Sequence, residues 1–271
     1  MFAKERQDKI YEIVKNNGAV TASALVKLFD VSIETVRRDL LEMERHGLLS
    51  RVHGGAVAIG EMKPYLNLNE RNKEFTEQKR YLALKASEFI SDGDIIGIDS
   101  GSTAISFSKV LKEKFSKLTV ITNSLDVFNI LCDSFSVILC GGYYLPYEKA
   151  FYGSLTLSML KNLHMQKAFI FPSAVSFEFG ICDYQKDLYQ IQEQMIKSSD
   201  EIFILADSSK FEKKALLKID DMKTGYRYIT DCNINSELEK LYKEHNINLF
   251  IGGYGNTVNY QRKRFQSRRK T

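Results

Sequence analysis

Apolar positions change their period along this chain, and the changes mark its elements. From Thr21 to Arg45 they recur at helical spacing, first as Ala24, Leu25, Leu28 and Phe29, then as Ile33, Val36, Leu40 and Met43. Thr21 is placed to cap a helix running through Phe29, Asp30 and Val31 make a turn, and Ser32 caps the next helix. Leu48-Leu49-Ser50-Arg51-Val52 then alternates like a strand, Gly54-Gly55 supplies a turn, and Ala56-Val57-Ala58-Ile59 returns. Two helices joined by a tight turn and followed by a hairpin predict a winged helix-turn-helix over residues 1–59. In that shape one helix enters the DNA major groove.

The pattern breaks over 60–75, where Gly60, Pro64 and scattered asparagines predict a linker. Thr76 is placed to cap a helix to about Ile90 that buries Leu82, Ala86 and Phe89. Short apolar runs follow, and each reads as a buried strand: 94–98, 118–122, 135–140, 168–171, 201–205, 226–229 and 248–251. Helical stretches intervene near 103–114, 124–131, 152–161, 185–198 and 235–245. Alternation of this kind predicts an α/β domain with a mostly parallel sheet over residues 76–255. No internal repeat stands out.

Charge refines the division. The chain has 271 residues and a formal net charge of +4. Residues 1–59 hold nine Lys/Arg against eight Asp/Glu, and residues 256–271 hold six and none, which leaves −3 for the middle. A mildly acidic central domain is not expected to lie along DNA. The tail 256–271, with Arg262-Lys263-Arg264 and Arg268-Arg269-Lys270, reads as disordered, and serves either phosphate attraction or solubility. No apolar run reaches the length of a membrane helix, and the first residues lack the apolar block of a signal peptide, so a cytoplasmic protein without a membrane partner is expected. The four cysteines, Cys132, Cys140, Cys182 and Cys232, show no metal spacing. Reduced thiols, no metal and no cofactor are expected.

On the second helix, Glu34, Thr35, Arg38, Glu42 and Arg45 lie opposite the apolar face, with Arg37 on the flank. Arg37 and Arg38 can meet phosphates or guanine acceptors, and Thr35 can bond either. The plain alternative is a solvated arginine face. Arg51 and His53 on the hairpin would point at the DNA backbone or minor groove, unless the Gly-Gly pair is mere flexibility. Ser32, Glu34, Thr35, Arg37, Arg38, Arg51 and His53 are the DNA-binding candidates.

The runs Val31-Ser32-x-x-Thr35-Val36-Arg37-Arg38-Asp39-Leu40 and Gly47-Leu48-Leu49-x-Arg51-Val52-His53-Gly54-Gly55-Ala56 resemble the N-terminal signature of DeoR-family transcriptional regulators. Ala206-Asp207-Ser208-Ser209-Lys210-Phe211 and Ile229-Thr230-Asp231 extend the resemblance over nearly the whole chain. It implies a repressor, less often an activator, with a sugar-phosphate-sensing domain related to ribose-5-phosphate isomerases and CoA transferases. Operators read by such proteins are paired half-sites, so a homo-oligomer on a double-stranded DNA operator is expected.

In parallel sheets, ligands bind beyond the carboxyl ends of the strands. Asp99, Ser100, Gly101, Ser102 and Thr103 follow the first predicted strand and open a helix, an arrangement suited to an anion. Asn123 and Ser124 follow the second strand, Gly141 and Gly142 the third, and Lys210 offers a point charge after the fifth. Each alone is ordinary loop chemistry; together, and carried over from the resemblance, they are the candidates for a phosphorylated sugar or similar effector.

The sequence also departs from the family pattern. Tyr143-Tyr144-Leu145 stands where a basic residue usually follows the Gly-Gly, Pro172-Ser173-Ala174-Val175-Ser176 where a glycine-rich turn is usual, and Gln192 where the helix usually bears a lysine. The aromatic stretch Tyr143, Tyr144, Tyr147, Phe151 and Tyr152 reads as a lid or a subunit contact, which would make the C-terminal domain mainly an assembly module. An isomerase-like enzyme is the remaining alternative. Asp99, Asp183 and Asp207 could supply an acid or base, but His164 and His245 sit on helical stretches without an evident partner. No catalytic residues are expected.

Overall fold

A computed structural model of the chain describes residues 2–17, 19–52, 55–57 and 67–253. It divides into two compact units, Met1–Asn67 and Leu68–Thr271.

The first unit comprises α1 (Ala3–Asn17), β1 (Ala19–Thr21), α2 (Ala22–Phe29), α3 (Ile33–Arg45), β2 (Ser50–Val52) and β3 (Gly55–Val57). The caps fall where the side chains place them. Thr21 Oγ1 accepts from Ala24 N at 3.2 Å, Asp30 turns in the left-handed region, and Ser32 Oγ accepts from Thr35 N at 3.1 Å. Ile10 and Val14 from α1, Leu25 from α2 and Val36, Leu40 and Met43 from α3 form the core. Three apolar expectations fail: Ala24, Leu28 and Ile33 are exposed, and Ala22 with Leu25 supplies the buried face of α2 instead.

The hairpin is part of a three-stranded sheet of order β1-β3-β2. Gly55 opens β3, paired to Thr21 and Val52, and does not form the turn. A Cβ there would stand 2.1 Å from the Val20 carbonyl oxygen, so this glycine serves close strand packing. Gly54 and His53 lie outside the described residues.

The second unit opens with α4 (Leu68–Arg71) and α5 (Thr76–Ala86), the latter followed by a single 3₁₀ turn, Ser87–Phe89. The unit division thus falls inside the stretch read as linker, of which 60–66 lies outside the described residues. Thr76 does not cap α5: that position is Phe75, and Thr76 Oγ1 donates to Lys73 O instead.

The chain continues through β4 (Ile95–Ile98), α6 (Ser102–Lys114), β5 (Thr119–Thr122), α7 (Leu125–Leu131) and β6 (Ser136–Leu139). Then come β7 (Tyr143–Leu145), β8 (Ala150–Tyr152), α8 (Ser154–Lys161), β9 (Met165–Ile170), β10 (Ala174–Ser176), β11 (Gly180–Asp183) and α9 (Tyr189–Lys197). The described chain ends with β12 (Ser199–Leu205), β13 (Leu217–Asp220), β14 (Arg227–Asp231), α10 (Ser236–Glu244) and β15 (Asn248–Gly252).

All seven predicted strands enter one sheet of order β15-β14-β12-β9-β4-β5-β6, and every pair in it is parallel. Alternate side chains face opposite layers. Phe203 and Leu205 join α5, α6 and α7 in one core, while Ile202 and Ile204 join α8, α9 and α10 in the other. Both faces are covered by helices, which is why the strands read as continuous apolar runs. The periodicity did not reveal the antiparallel pieces: the β7–β8 hairpin, which occupies the aromatic stretch, and a sheet of order β10-β11-β13.

Strand order reverses at the centre. From β4 the chain winds outward through β5 and β6, then returns to β9 on the other flank and winds out through β12, β14 and β15. β4 and β9 therefore flank a switch point, whose carboxyl side forms the crevice favoured for ligands.

Candidate functional site

The outer face of α3 is built by its own cap and by what lies behind it. Val36, Leu40 and Met43 anchor the helix, and the buried Asp39 carboxylate pairs with Arg6 of α1, with Arg6 Nη2 donating to Asp39 Oδ1 at 3.0 Å. Ser32, Glu34, Arg37 and Arg38 are exposed and Thr35 is partly so. Arg37 Nη1 donates to Glu34 Oε1 at 2.6 Å; with both side chains about two-thirds exposed, the pair is easily exchanged for another anion. Arg51 is exposed on β2, and its backbone N–H donates to Glu44 Oε1 at 2.9 Å, tying the hairpin to α3. His53 lies outside the described residues.

At the switch point, Asp99 directly follows β4, and its N–H donates to Phe169 O of β9 at 3.1 Å. Gly101, at φ 127°, turns the chain into α6, and its backbone faces Arg71: a side chain there would meet Arg71 Nη1 and Phe171 Cβ at 4.0 Å. Ser102 and Thr103 form the first turn of α6, which has no side-chain cap. The fully buried Asp99 carboxylate accepts from Ser100 N at 2.6 Å and from Gln192 Nε2 at 2.8 Å. Gln192 Nε2 also donates to Asp183 Oδ2 at 3.1 Å, so one amide bridges two buried carboxylates. Burial pushes the Asp99 carboxyl up to about 7 against these donors, with the Asp183 charge adding to the rise. The departure at Gln192 thus lies at the centre of the site.

Lys210 follows β12 in a 3₁₀ turn capped by Asp207, and Lys210 Nζ donates to Pro172 O at 2.8 Å. Two basic residues that periodicity gave to a linker and a helix interior join it. Arg71 bonds Glu148 of the β7–β8 turn, and Lys79, 3% exposed, donates to the carbonyls of Arg71 and Glu74. Burial lowers Lys79 to about 8, with the charges of Lys210 and Arg71 adding to the fall. A lysine on the buried side of an amphipathic helix was the one signal available for it.

The remaining candidates have structural duties. Asn123 holds the hairpin through Nδ2 to Phe151 O at 3.0 Å, Ser124 caps α7 through a 3.3 Å bond from Val127 N, and Gly142 is packed against Thr156 and the Tyr152 carbonyl. Gly141 O accepts from Thr156 Oγ1 at 3.0 Å. Asn123 Oδ1, Thr103 Oγ1, Gln185 Nε2 and Gln192 Oε1 are buried without a partner among the described residues. The histidines differ from expectation. His164 lies in the loop after α8 and bonds Asp200 at 2.9 Å, and His245 caps α10 with a 2.8 Å contact to Leu241 O.

Two family models match the chain: the DeoR-like helix-turn-helix domain over residues 6–61 and the DeoR C terminal sensor domain over 74–232. The chain belongs to the DeoR family. It is a DNA-binding transcriptional regulator of that family. Among its relatives, an uncharacterized HTH-type transcriptional regulator, YulB of Bacillus subtilis, is 32% identical over 91% of this chain and 96% of its own. The lactose phosphotransferase system repressor of Lactococcus lactis is 38% identical over 79% and 85%. The L-fucose operon activator of Haemophilus influenzae is 30% identical over 89% and 97%. Among solved structures, ribose 5 phosphate isomerase A from Neisseria gonorrhoeae aligns over 49% of this chain and 52% of its own, at 19% identity and a TM-score of 0.38. Among the described residues of this DeoR-family chain, no helix is long and apolar enough to cross a membrane.

Proposed function

We propose that this regulator represses a carbohydrate operon from the cytoplasm, as a homo-oligomer whose operator affinity is set by a phosphorylated sugar or related metabolite. The names of its relatives support the operon class. Residues 1–59 serve as the DNA reader and 76–255 as the sensing and assembly domain. Ser32, Glu34, Thr35, Arg37, Arg38, Arg51 and His53 carry the DNA contacts. The observation behind this is the exposed, Ser32-capped outer face of α3, backed by a buried apolar face and the Arg6–Asp39 pair. Arg38→Ala should weaken operator binding by about 1–3 kcal/mol if the guanidinium meets a base. Wild-type affinity and specificity in a titrated gel shift would remove that role.

Effector binding belongs at the switch point, on Asp99 to Thr103, Asn123, Ser124, Gly141, Gly142 and Lys210. Hydrogen-bond donors of a helix start and a lysine converge there, at the sheet edge where ligands gather. The site serves sensing and not turnover: the Asp99 and Asp183 carboxylates are both engaged by Gln192, and both histidines of this unit bond elsewhere. A gel shift titrated with phosphorylated sugars should show at least one that changes operator affinity. No change across the panel would count against the effector, and turnover of a sugar phosphate by the purified chain would reverse the non-catalytic assignment.

A further inference from the structure

The DNA-reading unit carries an apolar groove that none of its DNA-binding candidates lines. Asp8, Lys9, Glu12 and Ile13 of α1 and Leu28 and Phe29 of α2 form it, and its volume is about 690 Å³. Leu28 is 60% exposed, and Ile13 and Phe29 are only partly buried against the core. Phe2, 80% exposed, stands two helical turns before Lys9 and so continues the face that holds Lys9 and Ile13. Contiguous exposed apolar surface of this kind marks a contact site.

The charges around the groove say what covers it. Asp8, Lys9 and Glu12 are all exposed, and none forms an ion pair among the described residues. With two acids to one base the rim repels phosphate, so DNA is not the occupant. The set is instead complementary to itself. Lys9 and Glu12 lie about one turn apart on α1. When two copies of α1 cross antiparallel about a two-fold axis between these residues, Lys9 of each copy faces Glu12 of the other. The same symmetry doubles every apolar contact, with Leu28 and Ile13 of both copies closing over the floor of the groove.

We propose that this groove takes the DNA-reading unit of a second copy of this chain, so that two readers lock to one another on paired half-sites. This rests on the homo-oligomer reading above and adds the surface. The contact leaves Arg37, Arg38 and Arg51 free for DNA, because they lie on α3 and β2. Readers already held on one operator meet at high effective concentration, so a small contact suffices.

The probe is the tightest duplex that the full-length wild type selects from a random-sequence pool, compared with a version in which one half-site is scrambled. Leu28→Gln changes an exposed position without adding charge. It should reduce the preference for the paired duplex at least about fivefold and leave single-half-site affinity within about twofold of wild type. Lys9→Glu and Glu12→Lys should each lower the preference alone, by setting like charges face to face. Co-expressed, these two variants should regain it, because the mixed pair is complementary and rescue in trans requires contact between copies. An unaltered preference in Leu28→Gln and Lys9→Glu overturns the docking site and leaves the homo-oligomer reading standing. A loss equal on paired and scrambled duplexes, or one that the mixed protein does not rescue, gives the groove to another partner and overturns it too. If the wild type itself shows no preference for paired half-sites, both fall.

Discussion

Single residues in this protein take their meaning from what is paired behind them. Asp39 reads as one more acid on a charged helix, yet it is buried against Arg6 and ties α1 to the DNA-facing helix. Gln192 reads as a lost charge, yet its amide joins Asp99 and Asp183. The consequence at Asp99 is measurable. Its carboxyl titrates near 7 in the folded chain, above its ordinary value of 3.8. The folded state therefore holds this proton more tightly than the unfolded state. The resulting stability is complete below about pH 4 and is lost as the pH rises through about 7. Denaturant unfolding at pH 5 and pH 7.5 should show a smaller loss for Asp99→Asn than for the wild type. Equal losses would mean that the carboxyl ionises in its ordinary range. None of this is legible in the sequence, because a carboxylate's environment is assembled from β4, β11 and α9 together.

Elements were far more legible. The seven apolar runs became the seven parallel strands, since a strand covered on both faces has no polar side to interrupt it. Helix caps at Thr21 and Ser32 are local chemistry, and the structure forms both, whereas the cap expected at Thr76 is not formed. The short antiparallel strands escaped because three or four residues are too few to establish a period. Gly55 shows how an element can hide its reason. It looks like turn flexibility but permits β3 to lie against β1, with the Val20 carbonyl only 2.1 Å from where a Cβ would stand. Gly55→Ala should cost about 1–3 kcal/mol through overpacking. It should lower operator affinity as well, because β2 carries Arg51. Unchanged thermal unfolding in the variant would show that the three-stranded sheet can open to admit a methyl group.

At the scale of the whole molecule, chain order and spatial order part company. A DNA-reading helix fixed to one half-site gains from a second copy, so a duplex carrying a single half-site should bind at least tenfold more weakly than the paired operator. Equal affinity in a filter-binding or gel-shift assay would indicate that one reader suffices. By itself the sequence determined the two-part organisation, the capped helices, the strands of the sheet and the outward arginines of α3. Each of these follows from local periodicity and the conformational preferences of neighbouring residues. Only the tertiary structure decided that Arg71 and Lys79 stand beside Lys210, that Gln192 bridges two acids, and that Gly142 and Ser124 are occupied in packing and capping. The physical reason is the reversal of strand order between β4 and β9. It gathers residues distant in the chain at one sheet edge, where burial and charge are set by neighbours that the sequence keeps apart.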